Sequence, residues 1–344
     1  MISLIRLCIR LFGPVTALYR TWYMSEVSKS EIGVFYDLHD LVWMNNWANT
    51  YGDVKPNIAM DYTSARFNGN YSMTTYDAQK NKYDFIMNFT NGMTNMKVLD
   101  LGCGWGNAIF HLNQLGHNVT GITLSQRQAN FIKSQGGNVI VGDFRTNDIQ
   151  KLLSDEEFDL IISIESFEHL NTISDSKYNR TYKNSHELFA FWKRVLRADG
   201  IIYFQTMAYS DKGNKIMNRI SHENDEVLSN SFYADDDYVF YYLQKFYLDA
   251  SLVHTPVILQ ALADHDFKFV SVDSGVQDYL ATLIRWHKMN HRITITQTAD
   301  ILYKAILYYP TQYLLDTYES YSLRGQTTVF KRELFDHWRI VLRK

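Results

Sequence analysis

The stretch Val98-Leu99-Asp100-Leu101-Gly102-Cys103-Gly104-Trp105-Gly106 constrains this chain more than any other. Its apolar residues and acid read as a buried strand, its alternate glycines as the turn that ends the strand, and the apolar spacing over 108–115 as the helix that follows. Strand, glycine turn and helix in that order open a βαβ unit and a parallel sheet. Glycine lets backbone approach a ligand closely because no Cβ stands between them.

The glycine spacing narrows the ligand. A dinucleotide fingerprint is G-x-G-x-x-G, with helix N–H groups aimed at a pyrophosphate. Here the third glycine comes one residue earlier, which suits a ligand without phosphate. An adenosine bearing an amino-acid tail fits, with Asp100 near its amino group or a bridging water. After the next strand, Gly121-Ile122-Thr123-Leu124-Ser125-Gln126-Arg127-Gln128 lacks the acid that holds ribose hydroxyls in dinucleotide sites. Both features disfavour a dinucleotide-dependent oxidoreductase. Thr123 and Gln128 are the candidates for the ribose, and Ser125 reads equally as a ligand contact or as the N-cap of the following helix.

The same alternation continues along the chain. Strands are expected over 98–101, 119–123, 139–141, 158–164 and 201–206, with helices over 108–115, 126–134 and 187–196, the last ended by Ala198-Asp199-Gly200. Two further strands, 267–273 and 338–342, flank a helical stretch over 279–289 and would close the sheet as its antiparallel edge. The fold class is therefore α/β, a Rossmann-like, mainly parallel sheet. A helical segment over 1–29, a cap over 30–95 that ends in a helix at 76–89, and a domain over 96–344 with an inserted lid at about 209–260 complete the expected organisation.

With 344 residues, nearly half of them hydrophobic, the chain can bury a large core. A net charge of -3 and no basic stripe give no pull toward nucleic acid. Only Cys8 and Cys103 are present, so neither a disulfide framework nor a cysteine metal cluster is available, and a reducing, cytoplasmic setting is expected. Asp235-Asp236-Asp237 reads as a solvated lid surface rather than a metal site. The run from Ile2 to Tyr23 carries Arg6, Arg10 and Arg20 and is broken at Gly13-Pro14, which does not suit a signal-peptide core or a spanning helix. An amphipathic helix on an anionic membrane, a transit segment and a helix packed on its own domain all stay open.

Two more clusters carry chemistry. Gly142-Asp143-Phe144-Arg145 offers a glycine for close approach, an acid for an adenine amino group and an aromatic face for the ring. The fourth strand runs into Ser163-Ile164-Glu165-Ser166-Phe167-Glu168-His169, placing two carboxylates and an imidazole at the C-terminal edge of the sheet, where open α/β folds bind ligands. If the chain turns helical there, Glu165 and His169 share a face at i and i+4, an arrangement suited to acid/base work. Helix capping by a carboxylate and a backbone hydrogen bond from His169 are the structural alternatives.

These motifs, in this order, resemble the cyclopropane-fatty-acid synthase family, which includes mycolic-acid methyltransferases and coclaurine-type N-methyltransferases. The resemblance rests on 99–106, 121–125, 163–165 and 167–169, on Tyr71-Ser72-Met73, which is similar to the family's Tyr-Ser-Cys, on Asp278-Tyr279-Leu280-Ala281-Thr282, and on the final Trp338-Arg339-Ile340-Val341-Leu342. It implies an S-adenosylmethionine-dependent methyltransferase. The cofactor side is then Tyr71, Ser72, Asp100, Gly102, Gly104, Thr123, Leu124, Gln128, Gly142, Asp143, Phe144 and Ile164. The catalytic side is Glu165, Glu168, His169 and Tyr279.

The resemblance also marks departures. The family's cyclopropane synthases have a bicarbonate site made of a cysteine, a glutamate, a histidine and a tyrosine. Glu168 and Tyr279 match it, whereas Met73 and Gln205 stand for the cysteine and the histidine and cannot supply their chemistry. Glu165 stands where many cyclopropane synthases have glycine and the N-methyltransferases have glutamate. The expected acceptor is an apolar or amphipathic small molecule or lipid, methylated at an amine or at an unsaturated acyl chain. The alternative is a non-catalytic S-adenosylmethionine-binding sensor or interaction subunit, against which the intact Glu168, His169 and Tyr279 argue. The segment between Asn171 and Ser185 is about ten residues longer than expected, which points to an acceptor pocket of its own kind.

Overall fold

A computed structural model of the chain describes residues 61–220, 250–290 and 325–344, with 236, 239, 240 and 243. The expected N-terminal helical segment, the cap up to residue 60 and most of the aromatic, acidic part of the lid lie outside the described residues. Helix α1 (Thr75–Met87) leads into β1 (Lys97–Leu101), α2 (Asn107–Gln114), β2 (Asn118–Thr123), α3 (Gln126–Ser134), β3 (Asn138–Val141), α4 (Asn147–Leu152) and β4 (Phe158–Ile164). After a 3-10 turn (Phe167–His169) come β5 (Asn171–Thr172), α5 (Ile173–Lys177), α6 (Thr181–Val195), β6 (Leu196–Tyr209) and α7 (Asp211–Ile220). Then follow β7 (Ala250–Ser251), α8 (Thr255–Ala263), β8 (Lys268–Ser274), α9 (Val276–Asn290) and β9 (Phe335–Arg343).

Seven strands form one sheet in the order β3-β2-β1-β4-β6-β9-β8, and β5 pairs with β7 beside it. The neighbours from β3 to β6 are parallel, and β9 runs antiparallel to both β6 and β8. The expected mainly parallel sheet with an antiparallel edge is the one found. Period-two burial explains why helices cover both faces. Val98, Leu160, Ile162, Tyr203 and Val341 pack on one side with α1 and α2, and Leu99, Ile161, Ile202, Phe204 and Ile340 on the other with α6 and α8.

Two local expectations change. Helix α6 ends at Val195, not at Ala198-Asp199-Gly200, because Leu196 is already extended, buried and paired with Phe158. Asp199, at φ 59°, then sits in a register shift between the pairs Phe158/Leu196 and Leu160/Ile201. Within the stretch read as a lid, α8 buries Ile258, Ala261 and Leu262 in the main core, so this part packs as a core helix.

Candidate active site

The glycine turn follows β1 as expected. Gly102, Gly104 and Gly106 all have positive φ, at 80°, 52° and 86°. Each glycine is needed differently. A Cβ on Gly102 would stand 2.4 Å from Ser166 Cβ, so the turn packs directly against the loop that carries Glu165. Gly106 faces Ile132 and Phe110, whereas a Cβ on Gly104 would meet nothing within 4 Å, so this turn has open space beside it. Ser166 donates to the Leu101 carbonyl at 2.7 Å and ties the two loops together.

Asp100 is 4% exposed, and its carboxyl accepts no hydrogen bond among the described residues. Burial, then the neighbouring Asp61, push its carboxyl up to about 7. A nearly buried carboxyl of this kind fits the amino group of an adenosine with an amino-acid tail, which would restore its charge. Thr123 donates to Gln128 at 2.7 Å, and Ser125 proves to be the N-cap of α3, accepting from the Gln128 N–H at 3.0 Å. Leu124 is half-buried at the same strand end. Gly142 packs on Ile149, and Phe144 packs against the main core. Asp143 is oriented by the Arg145 guanidinium and backbone N–H.

At the end of β4, Ile164 is buried and the chain turns sharply at Glu165, whose φ is 49°. A left-handed conformation is natural for glycine and costs other residues on the order of 1–3 kcal/mol. Offsetting bonds come from the glutamate's own side chain, which is 5% exposed. Its Oε1 accepts from the Ser64 N–H at 2.9 Å, Gln205 Nε2 at 2.8 Å and His337 Nε2 at 2.8 Å. Gln205 is itself fixed: its Oε1 accepts from the Tyr203 hydroxyl at 2.8 Å, and its Nε2 also donates to the Ser64 carbonyl. Arg339 reaches the Ala65 carbonyl at 2.8 Å and forms a buried ion pair with Asp278 at 2.7 Å.

Glu168 lies beside this network. Its Oε1 accepts from Thr206 Oγ1 at 2.9 Å and the Met207 N–H at 2.6 Å, while its Oε2 is buried without a hydrogen-bond partner among the described residues. Burial, then the charge of Glu165, push the Glu168 carboxyl up to about 8. It therefore keeps its proton to a higher pH than an ordinary carboxyl does. Tyr279 is buried, with its ring 5.1 Å from that of His337.

One expectation fails on geometry. Residues 167–169 form a 3-10 turn and Glu165 is left-handed, so Glu165 and His169 do not share a helical face. Burial and the Arg145 guanidinium instead push His169 down to about 4, and the histidine bonded to Glu165 is His337. Tyr71 and Ser72 are exposed in a turn, where Ser72 donates to Asn70 at 2.6 Å and Asn81 reaches the Met73 sulfur. Tyr62-Thr63-Ser64 brings its last residue to Glu165 instead, secured upstream by the buried Lys82–Asp61 pair at 3.0 Å.

Ser64, His337 and Arg339 were thus missed as site residues. One signal was available: His337 and Arg339 are polar at i and i+2, on one face of the final strand, beside its apolar run over 340–342.

A parallel sheet switching to an antiparallel edge, a glycine turn after β1 and carboxylates after β4 define a class I methyltransferase. The family model for mycolic acid cyclopropane synthetase matches residues 36–340. The chain belongs to this family and is an S-adenosylmethionine-dependent methyltransferase.

Among curated relatives, Cyclopropane mycolic acid synthase 1 of Mycobacterium tuberculosis is 25% identical over 220 residues, covering 62% of this chain and 69% of that protein. Sphingolipid C9-methyltransferase of Komagataella phaffii is 24% identical over 305 residues, covering 83% of this chain and 53% of that protein. Mycolic acid cyclopropane synthase CmaA1 complexed with SAH and CTAB superposes with a TM-score of 0.67 at 22% identity, covering 92% of this chain and 98% of that one. Among the described residues, no helix is long and apolar enough to cross a membrane.

Proposed function

We propose that this enzyme methylates an unsaturated carbon of a lipid chain, and that Glu165 takes the proton the methylated chain loses. The observation that carries this reading is the buried Glu165 carboxylate, held by three donors at the strand edge beside the cofactor turn. The names of the relatives, a cyclopropane mycolic acid synthase and a sphingolipid methyltransferase, support a lipid acceptor.

S-adenosylmethionine supplies an electrophilic methyl group on a sulfonium. The alkene π electrons form the new C–C bond as the C–S bond breaks, and positive charge passes to the lipid chain. Glu165 stabilises that charge from a water-poor site, where a fixed carboxylate acts more strongly than in solvent. It then accepts a proton from the chain, leaving either a cyclopropane or a methyl-branched alkene. Glu168, whose carboxyl burial and the charge of Glu165 raise to about 8, adds little second negative charge beside it.

On the cofactor side, Asp100, Gly102, Gly104, Thr123, Gln128 and Gly142 hold the methyl donor, with Asp143 and Phe144 at the adenine. A lipid acceptor also gives the arginine-bearing run from Ile2 to Tyr23 a role as a peripheral membrane contact.

The test is to incubate the protein with methyl-labelled S-adenosylmethionine and either a phospholipid extract or a panel of amines. Label should stay with the fatty acids after lipid hydrolysis, as a gain of one CH2. Catalytic hydrogenation then separates a methyl-branched alkene, which takes up hydrogen, from a ring. Label confined to the amines would overturn the reading.

A further inference from the structure

His337 is fully buried on β9, opposite Met207 of β6. Its Nε2 is 2.8 Å from Glu165 Oε1, whereas its Nδ1 is buried without a hydrogen-bond partner among the described residues. The position of Gly275 bears on which nitrogen carries the proton. A Cβ built on Gly275 would stand 2.1 Å from Nδ1, so this edge of the ring packs directly on the glycine backbone. A proton on Nδ1 would be a buried donor with nothing to receive it. A proton on Nε2 points at a carboxylate oxygen.

The charged groups around the ring agree. Glu165 follows β4, Arg339 lies two residues along β9, and Asp278 and Tyr279 come from α9, with Arg339 and Asp278 bonded to each other at 2.7 Å. Glu168 reaches the backbone of the opposite residue, Met207. Burial holds the imidazole below its ordinary value, with Arg339 adding to the effect and Glu165 and Asp278 opposing it.

We propose that Gly275 and His337 form a positioning pair: the glycine locks the imidazole in its neutral Nε2–H tautomer, which orients Glu165 for proton transfer without neutralising it. All three donors, the Ser64 N–H, Gln205 and His337, then carry no net charge and converge on Oε1. No hydrogen bond to Oε2 forms among the described residues, which leaves that oxygen to the substrate. A salt-bridged imidazolium would cancel the charge that the methylated chain needs. The pair rests on the proton-acceptor role proposed for Glu165.

Nuclear magnetic resonance of the full chain with 15N-labelled histidine reads the tautomer directly. His337 should show the Nε2–H form, unchanged from about pH 5.5 to about pH 8.5. The kinetic companion compares His337→Gln, which keeps a side-chain N–H donor, with His337→Phe, which removes it. Glutamine should hold kcat within about threefold, and phenylalanine should lower it about 10- to 100-fold with S-adenosylhomocysteine affinity unchanged. Gly275→Ala should match phenylalanine; if it fails to fold, the glutamine–phenylalanine contrast still decides.

An Nδ1–H or imidazolium signal, or equal rates for the two His337 variants, would overturn the pair. Glu165→Gln separates the two ideas: its loss of activity beside an indifferent His337→Phe sinks the pair alone. A fully active Glu165→Gln sinks the proton acceptor itself.

Discussion

At the β1–β2 end of the strand edge the site is made of backbone, and at the β4–β6–β9 end it is made of side chains. Gly102 and Gly104 shape the first end through their φ values and missing Cβ atoms, and Asp100 stands there without a hydrogen-bond partner among the described residues. At the second end Glu165 alone takes three hydrogen bonds, and its partners are fixed in turn by Tyr203 and Arg339. The difference separates two tasks. A cofactor common to a family is met by a surface that any nearby sequence tolerates if the glycines stay. Proton transfer needs one atom in one place, and a buried network over-determines it.

Substitutions at each end test that division. Glu165→Gln should lower kcat by about 10²- to 10⁴-fold and leave S-adenosylhomocysteine binding by calorimetry unchanged; an equal loss of binding would break the division. Arg339→Met leaves the buried Asp278 without its partner and should cost about 3–5 kcal/mol of stability in urea titration, with the acceptor end failing first. Gly102→Ala forces a Cβ into Ser166 at a positive φ. It should cost about 1–3 kcal/mol and weaken cofactor binding more than it slows turnover at saturating cofactor.

The buried carboxyls add a pH dependence. Glu168 titrates near 8 when folded, against 4.5 as its ordinary value, so the unfolded chain loses this proton first. Its contribution to stability is present below the ordinary value and is lost as pH rises through the folded one. Asp100, raised to about 7, acts in the same direction. Melting temperatures taken from about pH 5 to about pH 9 should therefore fall for the wild type. They should fall less for Glu168→Gln, with Asp100 left to supply the remaining slope.

The same division explains what could be read from the sequence. Strand β1, its glycine turn and α2 are local, so the string over 98–106 carried both the fold class and the cofactor side. The mainly parallel sheet with its antiparallel edge followed from the alternation of strands and helices, whereas the order of its strands did not. The acceptor end was legible only in part. Glu165 and Glu168 stood out as carboxylates at a strand end, but Glu165 meets Ser64 across 101 positions and His337 across 172. No local spacing records such contacts. The helical pairing of Glu165 with His169 failed because a left-handed residue stops a helix from starting there. Tyr71-Ser72-Met73 rests on a likeness of three letters, which records nothing of burial: Tyr71 is 47% exposed, and it is the fully buried Ser64 that meets Glu165.

The most direct test follows the methyl group and the proton acceptor together. Wild-type protein and Glu165→Gln are each given labelled S-adenosylmethionine and unsaturated phospholipid, with S-adenosylhomocysteine affinity measured on both. The account predicts label in the fatty acids of the wild-type reaction, almost none with Glu165→Gln, and the same affinity for both proteins. Equal labelling by the two proteins, or wild-type label absent from the fatty acids, would contradict it.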